Sequence, residues 1–281
     1  MEEAAIVKFS NLVNEKGQET GEKIASLIIN RPDAANAFNA EVLDAITSIL
    51  EGIRQDPSVR ILLFQSFGKH FSAGADLLWM KESAQLSEEQ NREDAKKLIA
   101  MFEALYHLPI PTIAVVKGAS YGGAVGIVAC CDYAVAVESA RFCLSEVRVG
   151  LIPAVILPYL SRKIRSADLR RLTLTGRVFS SEEAKNLGLL VDTVESGAAM
   201  DEWLKREVNH LLLASPQAQR AYKGLQDKID HNSGAQGDYT AETIAKIRTS
   251  ESGQRGLRSF FDKSEPDWVA LVKNDQMLME L

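Results

Sequence analysis

Cysteine is nearly absent. Three occur in 281 residues, at Cys130, Cys131 and Cys143, and two of these are adjacent within apolar sequence. An odd count excludes a fully paired disulfide framework, and a CC pair lacks the CxxC spacing of a zinc or redox site. Buried free thiols in a reducing, cytoplasmic setting are the expectation. Histidine is almost as thin: His70, His107, His210 and His231 are scattered, with no metal-ligand spacing, so no metal is expected. Basic runs of five or more residues are missing, and the net charge is −6. That balance argues against a nucleic-acid binder working by phosphate neutralisation. No apolar run reaches the roughly 18 residues of a transmembrane helix, so no membrane span is expected. The opening MEEAAIVKFS has no basic n-region, no apolar h-region and no arginine, so neither a signal nor a transit peptide is expected.

What is present has the mix of a globular enzyme, 46% hydrophobic and 25% charged. Apolar runs alternate with helical patterns to about residue 195. IASLIIN (24–30) and RILLFQS (60–66) read as buried strands. Between them, Asn39 is placed to cap a helix whose Val42, Leu43, Ile46, Ile49, Leu50 and Ile53 share one face. Ser87 with Gln90, and Ser180 with Glu183, have capping-box spacing. TIAVVKG, YAVAVES, RFCLS and LVDTVES are further strand candidates. Beyond residue 200 the strand signals stop, and amphipathic helical sequence is interrupted by Ser215-Pro216, HNSGAQGD and SGQRG. The pattern predicts an α/β core over residues 1–200 and a helical region over 201–281, whose Leu257, Phe260, Phe261 and Trp268 would pack on the core or on another subunit.

Two stretches carry chemistry. SYGGAVGIVACCD (120–132) puts Gly122-Gly123 at a strand-to-helix junction. A helix N-terminus has unpaired N–H groups and positive partial charge, and glycine lets a ligand approach the backbone. The same glycines would also serve a tight turn and close helix packing. The pattern is neither a P-loop nor GxGxxG. FGKHFSAGADLLWM (67–80) brings a second small-residue turn, Ser72-Ala73-Gly74-Ala75, to a strand end. Two N–H donors from separate turns can converge on one carbonyl oxygen and stabilise an enolate without a charged side chain.

These residues carry a resemblance. SAGADL, ASYGGAVGIVACCD, ARFCLSEVRVGLIPAVILPYL and IINRPDAANAFNAEVL are together similar to the crotonase, or enoyl-CoA hydratase/isomerase, superfamily. The resemblance implies a spiral of ββα units, a C-terminal helical trimerisation region, trimers or dimers of trimers, and an acyl-CoA thioester substrate with no prosthetic group. It implies that the amides of Ala75 and Gly123 form an oxyanion hole. It implies that coenzyme A runs past Ala35, Ala37, Ala73, Asp76, Leu77 and Gly122, with Lys263 reaching its phosphates from a neighbouring subunit. Of two glutamates common in hydratases of this superfamily, one matches Glu146; the other falls on Gly126 and is missing here. The position is expected to face the pocket, so that Gly126→Glu would be tolerated.

Glu146 is thereby the acid–base candidate, although without the resemblance a surface ion pair with Arg148 or Arg141 would be the preferred reading. Asp132 reads as a structural junction. HFSAGADLLWMKESAQL, GGAVGIVACCD and FCLSEVRVGLIPAVILPYL also resemble bacterial 3-methylglutaconyl-CoA and isohexenylglutaconyl-CoA hydratases. Pro153-Ala154-Val155-Ile156 would shape a pocket for a branched chain or belong to helix core. A distal carboxylate on such a substrate would want Lys81 or Arg148. Three functions follow: a hydratase, an isomerase using one glutamate, and a non-catalytic acyl-CoA binder.

Overall fold

The computed structural model describes residues 3–231, 236–273 and 276–279. The chain runs β1 (Ala5–Val13), β2 (Glu19–Ile29), α1 (Ala40–Gln55), β3 (Val59–Ser66), α2 (Leu77–Ser83) and α3 (Glu88–Tyr106). It continues β4 (Thr112–Val116), β5 (Ala119–Tyr121), α4 (Gly123–Cys130), β6 (Tyr133–Val137), β7 (Arg141–Cys143), α5 (Leu157–Lys163) and α6 (Ser166–Thr175). Then come β8 (Val178–Ser180), α7 (Ser181–Asn186), β9 (Asp192–Val194), α8 (Gly197–Leu212), α9 (Pro216–His231), α10 (Gln236–Thr249) and α11 (Glu251–Asp262).

The main sheet has the order β1-β2-β3-β4-β6-β9, antiparallel at β1/β2 and parallel elsewhere. A small second sheet has the order β5-β7-β8. Every residue of β3 and β4 is buried, as is β2 from Ile24 onward. Continuous apolar runs of this kind suit parallel strands covered on both faces. Asn39 caps α1 by accepting the Val42 N–H, and Val42, Leu43, Ile46, Leu50 and Ile53 are buried, with Ile49 half-buried. Ser87 and Gln90 make both bonds of a capping box. At α7 only half of the expected box forms. Ser180 accepts the Glu183 N–H, but the Glu183 carboxylate turns to Arg177 and Arg171, because two guanidinium partners outcompete a single amide.

Arg60 on β3 is fully buried and fastens the C-terminal part to the sheet. Its Nη1 donates to Glu22 and to Trp268 O (3.0 Å), and its Nη2 to Ala214 O (3.2 Å). Removing the guanidinium strands a carboxylate and two carbonyls. Arg60→Ala is expected to cost about 3–5 kcal/mol, read by denaturant unfolding.

α8 runs through residue 200 and packs on β6 and β9, burying Met200, Trp203, Leu204, Val208 and Leu212 in the common core. After α11 the chain returns to the sheet: Leu271 and Val13 exchange backbone hydrogen bonds, and Gln65 Nε2 donates to Leu278 O. α9 is tied to the core by Lys223, which donates to Ile110 O and to the Asp132 carboxylate, and α10 and α11 form the excursion before that return. Phe260 and Phe261 on α11 face solvent, whereas Trp268 packs on Gly256. Part of the HNSGAQGD loop, residues 232–235, lies outside the described residues. Among the described residues no helix is long and apolar enough to cross a membrane.

Candidate active site

The turn after β3 is laid against β5. Phe71 N–H donates to Lys117 O (2.7 Å), Ser72 N–H to Ala119 O (3.0 Å), and Tyr121 N–H to Ser72 O (3.0 Å). Gly74 has φ +92°, and a Cβ there would lie 2.9 Å from Tyr121 O and 3.9 Å from Gly122 N. Only glycine permits both that backbone and that approach. The approach brings the 72–75 turn into contact with the Gly122-Gly123 junction, as the two motifs predicted.

A third segment braces both turns. Ala35 and Asn36 are left-handed, with φ 49° and 55°. The buried Asn36 side chain accepts the Arg31 N–H (2.9 Å) and donates to Phe67 O (2.8 Å) and His70 O (2.7 Å). Ala73 N–H then donates to Ala35 O (2.9 Å), Phe38 N–H to Gly74 O (2.8 Å) and Asp76 N–H to Phe38 O (2.8 Å). Arg31 donates to Ala37 O and to the Asp76 carboxylate, which also caps α2. Burial works against the Asp76 charge, yet the Leu78 N–H, Arg31 and the Trp79 N–H hold its carboxyl below the usual range. Ala35, Ala37, Ala73, Asp76 and Leu77 therefore belong to one braced surface, with Ala73 and Leu77 exposed and Ala37 buried. Arg31, Asn36 and His70, whose Nδ1 accepts the Ala119 N–H, do not stand out in the sequence.

The amides along these turns are mostly spent. Gly74 N–H goes to Ser72 Oγ, Asp76 N–H to Phe38 O, and Gly122 N–H to Cys143 O (2.9 Å). Among the described residues, the Ala75 and Gly123 N–H groups donate to no acceptor. Gly123 is the first residue of α4, where an N–H has no intrahelical partner. Ala75 is exposed and Gly123 half-buried, so a ligand can reach both.

Glu146 meets this junction from β7. Cys143 pairs with Tyr121 in parallel register, and a short 3₁₀ turn over Glu146–Val149 follows. A Cβ on Gly122 would lie 3.3 Å from Glu146 Oε1. Oε2 is buried with no hydrogen-bond partner. Burial pushes the carboxyl above its ordinary range, against a smaller opposing pull from its own backbone N–H. Glu146 makes no ion pair among the described residues. Arg141 donates instead to Glu138 O and Ala140 O, and Arg148 packs on Gly176. Asp132 is a structural junction, bonded to Thr112 and to Lys223. Lys81 is exposed in the last turn of α2, and Lys263 closes α11 in the helical excursion. The cysteines are free and buried, with the Cys131 thiol pushed by burial up to about 12. A cleft of about 690 Å³ opens at the far end of α4, lined by Cys131, Asp132, Lys163 and Lys223, away from Gly122.

Gly126 departs from expectation. A Cβ there would lie 2.2 Å from Ile156 Cγ2, 2.8 Å from Ile156 Cβ and 3.0 Å from Phe102 Cε1. The position is filled by core, so Gly126→Glu collides with packed side chains rather than entering open space. Ile156, 2% exposed, is helix core.

Comparison with known proteins places most of the chain in one family. Residues 19–270 match the enoyl-CoA hydratase/isomerase family. A crystal structure of an enoyl-CoA hydratase from Shewanella pealeana superposes with a TM-score of 0.84 at 40% identity, covering 87% of this chain and 92% of that one. A crotonyl-CoA hydratase of Syntrophomonas wolfei is 28% identical over 93% of this chain and 99% of its own. A trans-2-decenoyl-[acyl-carrier-protein] isomerase of Streptococcus mutans is 27% identical over 88% of this chain and 94% of its own. With this fold and this match, the chain belongs to the enoyl-CoA hydratase/isomerase family and has the α/β architecture of the crotonases.

Proposed function

We propose that the protein is an enoyl-CoA hydratase that adds water to a branched 2-enoyl thioester of the 3-methylglutaconyl-CoA or isohexenylglutaconyl-CoA type. The observation that carries this reading is a buried carboxyl oxygen of Glu146 without a partner, beside a junction that offers two unspent amides. The Ala75 and Gly123 N–H groups hold the thioester oxygen. Ionised Glu146 takes a proton from water as the water oxygen bonds C3, and the C2=C3 electron pair moves onto the thioester as an enolate. The amides stabilise the negative charge where it develops. Coenzyme A lies along Ala35, Ala37, Ala73, Asp76 and Leu77, and Lys263 of a second copy in a cytoplasmic homo-oligomer meets its phosphates. The chemistry needs no prosthetic group.

Isomerisation is the second reading, favoured by one observation: α4 carries no carboxyl, and moving a proton between C2 and C4 needs only one. A panel of enoyl-CoA esters with mass detection separates the two. The hydratase reading expects a methyl-branched glutaconyl-CoA to gain the mass of water. Unchanged mass with a moved double bond would replace it with isomerisation, and no conversion with thermal stabilisation by CoA esters would leave a binding protein.

A pH dependence follows. Glu146 must start ionised, and burial raises its proton affinity. kcat/KM is therefore expected to fall with decreasing pH at a midpoint above the ordinary carboxylate range near 4. A midpoint at or below that range in a pH–rate profile would contradict the assignment.

A further inference from the structure

Glycine in a helix interior is conformationally costly, so Gly126 inside α4 calls for a packing reason. Ile156 supplies it. Its side chain stands where a Cβ on residue 126 would be, backed by Phe102, whose ring lies 5.9 Å from that of Tyr159. Glu146 meets α4 at Gly122 and Ile156 meets it one turn on, at Gly126. α4 between them reads Gly-Ala-Val-Gly-Ile-Val-Ala-Cys, with nothing ionisable before Cys130.

We propose that Ile156 is a positioning residue that holds this site to a single carboxyl, by occupying the volume any side chain at 126 would need. The proposal rests on the hydratase reading above. Glu146 then acts twice. It takes one proton from water as the C3–O bond forms, and it returns that proton to C2 as the enolate collapses. Hydrogen and hydroxyl are added across C2=C3 and the carboxylate is regenerated. Burial and, to a smaller extent, Glu146 raise the pKa of Cys143 on β7, and α4 carries nothing ionisable before Cys130.

The test has two arms. In the first, Gly126→Ala is made in the parent and in an Ile156→Gly background, and both pairs are melted. The expected drop is roughly 5–10 °C in the parent, shrinking to about 2 °C or reversing once Ile156 is gone. Equal drops in both backgrounds would overturn the proposal. In the second arm, the acid limb of kcat/KM for the parent is expected to follow one carboxyl, falling about tenfold per pH unit. A limb that needs two carboxyls in the parent would overturn it. The double variant Gly126→Glu with Ile156→Gly is expected to acquire a second carboxyl ionisation. A parent that converts no enoyl-CoA would sink the hydratase reading and this inference with it. A parent that turns over but fails the melting cycle would sink this inference alone.

Discussion

Glu146→Gln is expected to lower turnover of an enoyl-CoA thioester by about 10²–10⁴-fold while leaving CoA-ester affinity within a few-fold. The carboxyl is half-buried against Gly122, at the junction between the two turns, and the coenzyme surface runs through other residues. Gln keeps the shape and removes the proton exchange. Single-turnover kinetics and a thermal-shift titration with a CoA ester read the two quantities separately, and full activity in the variant would refute the role. The same substitution has a second expected effect. Burial raises the Glu146 pKa in the fold above its value in the unfolded chain. Between those two values the folded state binds more protons, so stability falls as pH rises through them. At neutral pH the ionised carboxylate therefore weakens the fold, and Gln removes that weakness. The variant should melt no lower than the parent at pH 7, with the difference closing as pH drops through the carboxylate range.

The strands buried on both faces were legible because β2, β3 and β4 write burial directly as apolar runs. β1 was not. It is an edge strand whose alternation is broken by an exposed Phe9, and it is defined by its antiparallel register with β2. β5 and β8, three residues each, are too short to carry a period and are set by their neighbours. The site divides the same way. Gly74, Ala75, Gly122 and Gly123 stand out as small-residue turns at strand ends, a pattern that also suits tight turns and close packing, and the resemblance singles out Ala75 and Gly123 among them. Asn36 does not, since its partners Phe67 O and His70 O lie more than thirty residues away and are backbone atoms. Ile156 could be read as pocket or core from its type alone; its 2% exposure and the 2.2 Å approach to a Cβ at Gly126 decide for core.

Gly123→Pro should reduce kcat/KM by about 10²-fold or more, and it tests the oxyanion role without touching a charged group. Removing a main-chain donor normally breaks secondary structure, but this position is an exception. Gly123 opens α4, and proline is favoured at the first helical position, where the N–H has no intrahelical use. Gly122, at φ 54° and ψ −123°, is in the mirror image of the extended region, away from the α conformation that a following proline disfavours. A Cβ on residue 123 would meet Phe38 Cε2 at 3.4 Å, an ordinary contact. Gly123→Ala supplies that Cβ while keeping the donor, and is expected to lose less than about tenfold. A loss confined to proline, with both variants melting near the parent, isolates the amide. Equal activity in the proline variant would mean that the Gly123 N–H holds no developing charge, and the oxyanion would then have to be stabilised by groups other than this pair.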